Sequence, residues 1–290
     1  MSEVASRPTS KLPVLLRTAL FLVFGYLVLI LLASMMYEAL GLLIASVLGV
    51  FAAASLATTL VIRIFERGRL ADIGLRWTPG SFRNLLSGCA GGFGAVAAIL
   101  VPALIAGAAW WKPAPEGAQG PGGFVFLTLI LLFGAAGEEM LFRGYGFQIL
   151  VPVFGPVASL LPMSILFGLV HMGNSNVNAT GAVNTVAWAI LLGAALLRSG
   201  DLWFPIGLHF GWNWGLALFG ANVSGFTMRL AGHSIEWSIA PLWTGGAYGP
   251  EGGLMCTAVV ILLGFFVMRA PVARQQLALI QPRCEEAASS

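Results

Sequence analysis

From residue 13 to residue 268 the chain alternates between long apolar stretches and connectors that are basic or rich in proline and glycine, the longest being the loop 220–252. A transmembrane α-helix needs roughly 20 consecutive, mostly apolar residues, and eight stretches come close to that length. The pattern therefore predicts an all-α polytopic membrane helical bundle of about eight transmembrane helices. The predicted spans are about Pro13–Met35, Gly41–Phe65, Leu86–Ala108, a helix beginning near Phe124, Pro156–Met172, Ala179–Leu197, Trp203–Phe219 and Gly253–Met268.

Composition supports this class of protein. The sequence is 58% hydrophobic and 9% charged, whereas soluble chains are about 45–50% apolar and about 25% charged. These values argue against a soluble globular enzyme. The 37 glycines suit close approach between helices in lipid. We expect the lipid bilayer to surround the protein, and we expect no nucleic-acid partner.

The basic residues are distributed unevenly along the predicted topology. With the N-terminus in the cytoplasm, thirteen lysines and arginines fall on the cytoplasmic side, and only Lys112 and Arg229 fall on the other. Because cytoplasmic loops carry the excess of Lys and Arg, this predicts a multi-pass protein of the cell membrane with both termini cytoplasmic. Residues 1–12 and 271–290 are then cytoplasmic tails, and residues 13–270 form a single membrane domain.

Three ionisable residues interrupt the fourth apolar stretch: Glu138, Glu139 and Arg143. A carboxylate inside a bilayer costs about 2.5–3.5 kcal/mol on insertion scales, so such residues are candidates for function. Glu139 and Arg143 are four residues apart and share a helix face, which predicts a structural ion pair. Glu138 points about 100° away and has no partner on its own helix, so it is a candidate general base.

Two further predicted helices carry polar side chains at helical spacing. His171 follows Phe167 by one turn on the fifth helix, and Asn213 follows His209 by one turn on the seventh. Antiparallel neighbours would put these side chains at a depth similar to that of Glu138, which is compatible with one buried site. The structural alternative for each polar group is an interhelical hydrogen bond or ion pair, and Phe167 is expected to pack.

Several known routes to peptide hydrolysis are excluded by the residues that the sequence lacks. It contains no H-E-x-x-H pair, as zinc proteases of that helical type need, and no G-x-S-x-G segment near a histidine. Its only aspartates, Asp72 and Asp201, fall in predicted loops, which argues against an aspartyl dyad. A site made of glutamate and histidine remains.

The polar residues form three ordered motifs: Glu138-Glu139-x-x-x-Arg143, Phe167-x-x-x-His171 and His209-x-x-x-Asn213. Together they resemble the CPBP family of CAAX proteases and bacteriocin-processing enzymes, also called Abi or Ras-converting-type endopeptidases. The similar region covers about residues 124–219, roughly a third of the chain.

The resemblance implies an eight-helix intramembrane endopeptidase whose site opens toward the cytosol. It implies that Glu138 activates water with the help of His171, and that His209 and Asn213 hold the oxyanion. Glu139, Arg143 and Phe167 would support the site. The expected partner is a peptide or protein substrate at the membrane, either CAAX-like or a leader peptide.

The cofactor is expected to be either none or Zn²⁺. The family is often labelled metal-dependent, and a bound metal would take Glu138, His171 and His209 as ligands and leave an open water position. The metal-free version is favoured because Asn213 carries a good oxyanion donor but a poor zinc ligand.

Two other functions are compatible with the same residues. A proton- or cation-coupled transporter would use Glu138, His171 and His209 as a relay, although the sequence shows no inverted repeat of the kind found in many transporters. An immunity-type protein would use the fold to bind a peptide without cleaving it.

Overall fold

A computed structural model describes residues 10–114, 120–228, 230 and 232–280, and these are mostly helical. The predicted tail residues 1–9 and 281–290, together with Arg229, lie outside the described residues. The helices are α1 (Lys11–Glu66), α2 (Pro79–Ile105), α3 (Gly120–Arg143), α4 (Tyr145–Phe154), α5 (Pro156–His171), α6 (Ala179–Ser199), α7 (Trp203–Leu218), α8 (Pro241–Thr244) and α9 (Leu254–Arg269). The strands are β1 (Ala109–Pro113) and β2 (His233–Trp237), and 3₁₀ turns cover Leu70–Ile73, Gly246–Tyr248 and Pro250–Gly252.

Within the described residues, four helical stretches are long and apolar enough to cross a membrane: α1, α2, α6 and the path from Gly120 to Phe154. Helices α5 and α9 are apolar but shorter, with 16 residues each. The predicted class of helical membrane protein is confirmed. The number of crossings stays a prediction, because length and composition alone identify four.

Helix α1 is a helical hairpin. Its 56 residues would extend about 84 Å if straight, far more than the hydrocarbon core of about 30 Å. Gly41 has φ 74°, a left-handed conformation that glycine adopts at little cost, and the chain reverses there. A Cβ placed on Gly49 would lie 3.3 Å from the Cβ of Ala33, and Arg17 pairs with Glu66 at 3.0 Å. The two halves therefore correspond to the first two predicted spans.

The fourth predicted helix is divided in two. The sequence predicts a start near Phe124 and no definite end; in the structure α3 ends at Arg143 and α4 begins at Tyr145. Tertiary contacts fix the new direction, since Gln148 Nε2 donates to the carbonyls of Ile73 and Arg143 at 2.8 and 2.9 Å. The break leaves the predicted acidic motif in the last two turns of α3.

Helices α2 and α7 pack with their backbones in close contact. A Cβ on Gly92 of α2 would lie 2.1 Å from Leu208 O, and one on Gly207 of α7 would lie 2.3 Å from Leu85 O. Small residues permit this close approach in transmembrane helix bundles. Because α7 carries His209 and Asn213, its contact with α2 fixes their position.

The loops at the α7–α9 end of the bundle are folded. Strands β1 and β2 pair antiparallel from Ala109↔Trp237 to Pro113↔His233, almost entirely within the loops between predicted spans. The segments lie more than 100 residues apart, so local sequence carries little information about their pairing. Lys112 and Glu236 form an ion pair of 3.0 Å across the strands.

Part of the predicted C-terminal tail packs on the bundle. Gln275 Nε2 donates to Asp201 Oδ2 at 2.7 Å, and Asn84 Nδ2 donates to the same oxygen at 2.9 Å. Leu277 and Leu279 are buried. Residues 271–280 therefore join the turn between α6 and α7 to the start of α2.

Candidate active site

Glu138 lies between two imidazoles. Its Oε2 is 3.7 Å from His171 Nε2 and 3.8 Å from His209 Nε2. Both separations exceed a direct hydrogen bond, and this buried oxygen accepts no hydrogen bond from any described residue. Polar contacts longer than about 3.5 Å are commonly bridged by water, so the geometry suits a water molecule held by all three groups.

The opposite ring nitrogens determine how each histidine faces Glu138. His171 Nδ1 is 2.7 Å from the carbonyl oxygen of Phe167, and His209 Nδ1 is 3.0 Å from Glu139 Oε1. A carbonyl and a carboxylate only accept, so each Nδ1 carries the proton. Both Nε2 atoms then face Glu138, as acceptors in a neutral ring and as donors in a protonated one.

The predicted pair of Glu139 and Arg143 is present and buried, with Nη1 at 3.1 Å from Oε1. Arg143 Nη2 also donates to Ala189 O on α6 at 3.0 Å. The bond between Glu139 and His209 was not predicted. Glu139 thus connects α3 to α7 directly and to α6 through Arg143.

Phe167 packs between two charged or ionisable groups. The Arg143 guanidinium lies 4.6 Å from the centre of the Phe167 ring, within the range of a cation–π contact. The imidazole of His171 lies 4.3 Å from the same ring. Phe167 therefore orients its neighbours without offering a reactive atom.

A small cavity lies next to these groups. His171, His209 and Asn213 line about 30 Å³ of space, and a cavity holds a water from about 10–15 Å³ upward. The carboxamide of Asn213 makes no hydrogen bond to any residue that the structure describes, so it is free to bind a ligand in the cavity. The other walls are Phe167, Trp188, Leu192 and Trp212 on the apolar side and Thr185, Ser224 and Glu251 on the polar side.

Glu251 is a cavity residue that the sequence did not reveal. Its Oε1 accepts from Trp212 Nε1 at 3.0 Å, and its Oε2 accepts from the backbone N–H and the hydroxyl of Ser224. Burial raises the pKa of the Glu251 carboxyl, while these hydrogen bonds act in the opposite direction. The sequence offers only a slight indication of its role, which is a carboxylate in a segment of proline and glycine just before the last predicted helix.

The donor set does not fit a zinc ion as arranged. Zinc bonds of about 2.0–2.1 Å place tetrahedral ligands about 3.3 Å apart, whereas Glu138 Oε2 lies 3.7 and 3.8 Å from the two imidazole nitrogens. Across the described part of the chain, no group of three or more His, Cys, Asp or Glu side chains is arranged to hold a metal ion. We therefore derive no catalytic step through a metal.

The fold and site define a helical membrane protein with a half-buried glutamate–histidine–asparagine cluster. Residues 120–215 match the family described as type II CAAX prenyl endopeptidase Rce1-like. This region contains all three predicted motifs and covers about a third of the chain, so the family resemblance is confirmed. No curated protein and no solved structure gives a significant match to the chain.

Proposed function

We propose that the chain is an intramembrane endopeptidase in which Glu138 activates the hydrolytic water. The observation that carries this proposal is the position of Glu138 Oε2, at 3.7 and 3.8 Å from the Nε2 atoms of His171 and His209. The match of this region to a family of CAAX-type proteases supports it.

Glu138 and His171 act on the water. Because His171 Nδ1 donates to Phe167 O, its Nε2 accepts one hydrogen of the water and orients it. Glu138 removes the other proton, and the hydroxide oxygen attacks the carbonyl carbon of the substrate. The proton held by Glu138 then passes to the nitrogen of the leaving amine as the peptide bond breaks.

His209 and Asn213 stabilise the oxyanion. Asn213 offers an uncommitted N–H group, whereas His209 donates through Nε2 only when its ring is protonated. The Glu139 carboxylate at His209 Nδ1 orients the ring so that Nε2 faces the site. Removing one such donor costs roughly 10²–10³-fold in kcat in other enzymes.

The membrane arrangement that we propose has eight crossings: both halves of α1, then α2, the α3–α4 path, α5, α6, α7 and α9. The connector after α1, the turn between α6 and α7, and residues 273–277 contact one another, which supports their lying at one end of the bundle. Most described arginines flank these segments, and Lys112 lies at the opposite end. The basic end lies on the cytoplasmic side of the cell membrane. Residues 13–270 then form the membrane domain, and both tails are cytoplasmic.

The proposed substrate is a membrane-associated peptide of the CAAX-like or leader type. The apolar wall formed by Phe167, Trp188, Leu192 and Trp212 suits an apolar side chain next to the scissile bond.

Glu138→Gln tests the proposed base. The amide keeps the size of the side chain but cannot accept the proton, so we expect cleavage of a peptide library to fall by about 10²–10⁴-fold. Cleavage is measured by mass spectrometry on purified, folded protein in detergent. Glu38→Gln, at an exposed position of α1, is the matched control and should retain wild-type activity.

Full activity of the Glu138→Gln variant would end the assignment of the base. Metal analysis and a chelator series on the wild-type sample test separately whether cleavage depends on a metal ion. Loss of activity on chelation, with recovery on adding Zn²⁺, would contradict the metal-free mechanism.

A further inference from the structure

We propose that Glu251 is a positioning residue of this active site, acting on Asn213 through Trp212 and on the cavity wall through Ser224. The inference rests on the proposed peptidase function and adds a fourth chain segment to the site. The loop between β2 and α9 then helps to position the active-site residues.

The location of Glu251 is the first observation. It belongs to a 3₁₀ turn, Pro250–Gly252, yet it is only 8% exposed. Its side chain lines the same cavity as His171, His209 and Asn213. A carboxylate buried in this way needs strong partners, because an unpaired buried charge is costly.

The partners of Glu251 are donors on neighbouring segments. Trp212 Nε1 donates to Oε1 at 3.0 Å, and Trp212 immediately precedes Asn213 on α7. The backbone carbonyl of Glu251 accepts from Asn184 Nδ2 of α6 at 2.8 Å. Residue 251 therefore connects the loop to both helices, and its side chain restrains the turn of α7 that presents Asn213.

The other oxygen holds a strained part of the wall. Ser224 has φ 47°, a conformation that is uncommon outside glycine and is usually maintained by surrounding contacts. Glu251 Oε2 accepts from both the N–H and the hydroxyl of Ser224, and Gly225 N donates to Tyr248 O at 2.8 Å. Glu251 thus holds this wall together with backbone hydrogen bonds of the segment.

A carboxylate is needed here because three donor groups converge on two oxygens. A glutamine would direct its own NH₂ group toward either Trp212 or Ser224, and one of these contacts would become repulsive. Among the ion pairs of the described residues, none involves Glu251, so the partners of its buried carboxylate are these three hydrogen-bond donors.

A double-mutant cycle between Glu251 and Asn213 separates positioning from general stabilisation. We expect Glu251→Gln to lower kcat about 10- to 100-fold, as small misplacements do, with KM changing less than about 3-fold. In an Asn213→Ala background the same substitution should lower kcat by a distinctly smaller factor, because Trp212 no longer positions Asn213 and only the contact with Ser224 remains to be lost.

The control is Glu236→Gln, on β2 in the same loop region, whose side chain is 41% exposed. It should leave kcat unchanged in both backgrounds. Equal fold losses from Glu251→Gln with and without Asn213 would overturn the inference, since a purely structural role predicts that result. Unchanged kcat in the single variant would overturn it as well.

Amide hydrogen exchange gives a readout that does not depend on activity. Glu251→Gln should accelerate exchange in α7 around residues 210–214, while Glu236→Gln should not; equal protection in all three proteins would refute the restraint on α7. The Glu138→Gln variant distinguishes the two proposals. If it retains full activity, the proposed function fails, whereas if it is inactive and Glu251→Gln behaves as wild type, only this inference fails.

Discussion

Two adjacent glutamates at the end of α3 have different surroundings because neighbouring helical residues point about 100° apart. Glu139 is fully buried, and its Oε1 accepts from both Arg143 and His209. Glu138 is 27% exposed in its side chain and faces the two Nε2 atoms. Glu139 thus holds Arg143 and His209 in place, whereas the Glu138 carboxylate is available for proton transfer.

Removing one charge of the buried pair should destabilise the protein, because the other charge is left uncompensated. We expect Glu139→Met or Arg143→Met alone to cost about 3–5 kcal/mol, seen as a large fall in Tm in detergent. The double variant should recover most of that stability, since apolar replacements of both partners are often near neutral. Its peptide cleavage should stay low because His209 has lost its carboxylate. A double variant that is stable and fully active would show that Glu139 serves the fold alone.

The pairing of Glu139 with Arg143 was predicted because a spacing of four residues fixes the geometry within one helix. The bond from Glu139 to His209 was not, because it depends on how α3 and α7 face each other. Glu251 is the extreme case: it is far from every motif in the sequence, and only the folded loop brings it to Trp212.

At the scale of elements, the contact between α2 and α7 positions half of the site. Gly88 and Gly92 on α2 face Gly207 and Gly211 on α7, and a Cβ at any of the four would lie within 2.4 Å of the facing backbone. The N-terminal third of the chain carries no motif, yet through α2 it determines where His209 and Asn213 lie.

Gly92→Val should separate α2 from α7. Its Cβ would lie 2.1 Å from Leu208 O and 2.6 Å from Trp212 N, so the helices must move apart. Overpacking typically costs about 1–3 kcal/mol, and backbone contacts of this kind leave little room to relax. We expect a lower Tm and loss of cleavage, both measured on the purified variant.

Gly94→Val is the matched control, because a Cβ at Gly94 meets nothing within 4 Å. It makes the same change on the same helix and should leave Tm and cleavage nearly unchanged. Similar effects of the two substitutions would mean that helix propensity, and not the α2–α7 contact, explains the loss.

At the scale of the whole molecule, the two ends of the bundle differ in charge and structure. The end that carries the α6–α7 turn and residues 273–277 has the arginines, while β1, β2 and the folded loop with Glu251 lie at the other. Helices α3, α5 and α7 supply the side chains of the candidate site. Ser224 and Glu251 of the folded loop form part of its cavity wall.

Cysteine labelling tests the proposed orientation. In a background without the native cysteines, Lys112→Cys should react with a membrane-impermeant maleimide in intact cells, because the proposed orientation puts residue 112 on the outer side. Arg274→Cys should react only after permeabilisation. Both side chains are exposed, so access depends on the side of the membrane. The reverse pattern would place the termini outside the cytoplasm.

The sequence by itself determined the helical membrane class, the basic asymmetry, the two apolar spans that make up α1, and the identity of the three motif segments. These follow from local quantities: apolar length, helical spacing and charge along the chain. Only the tertiary structure decided the break after Arg143, the pairing of β1 with β2, the bond from Glu139 to His209 and the place of Glu251. Each of these depends on contacts between segments far apart in the chain, where packing and hydrogen bonding across helices override local preference.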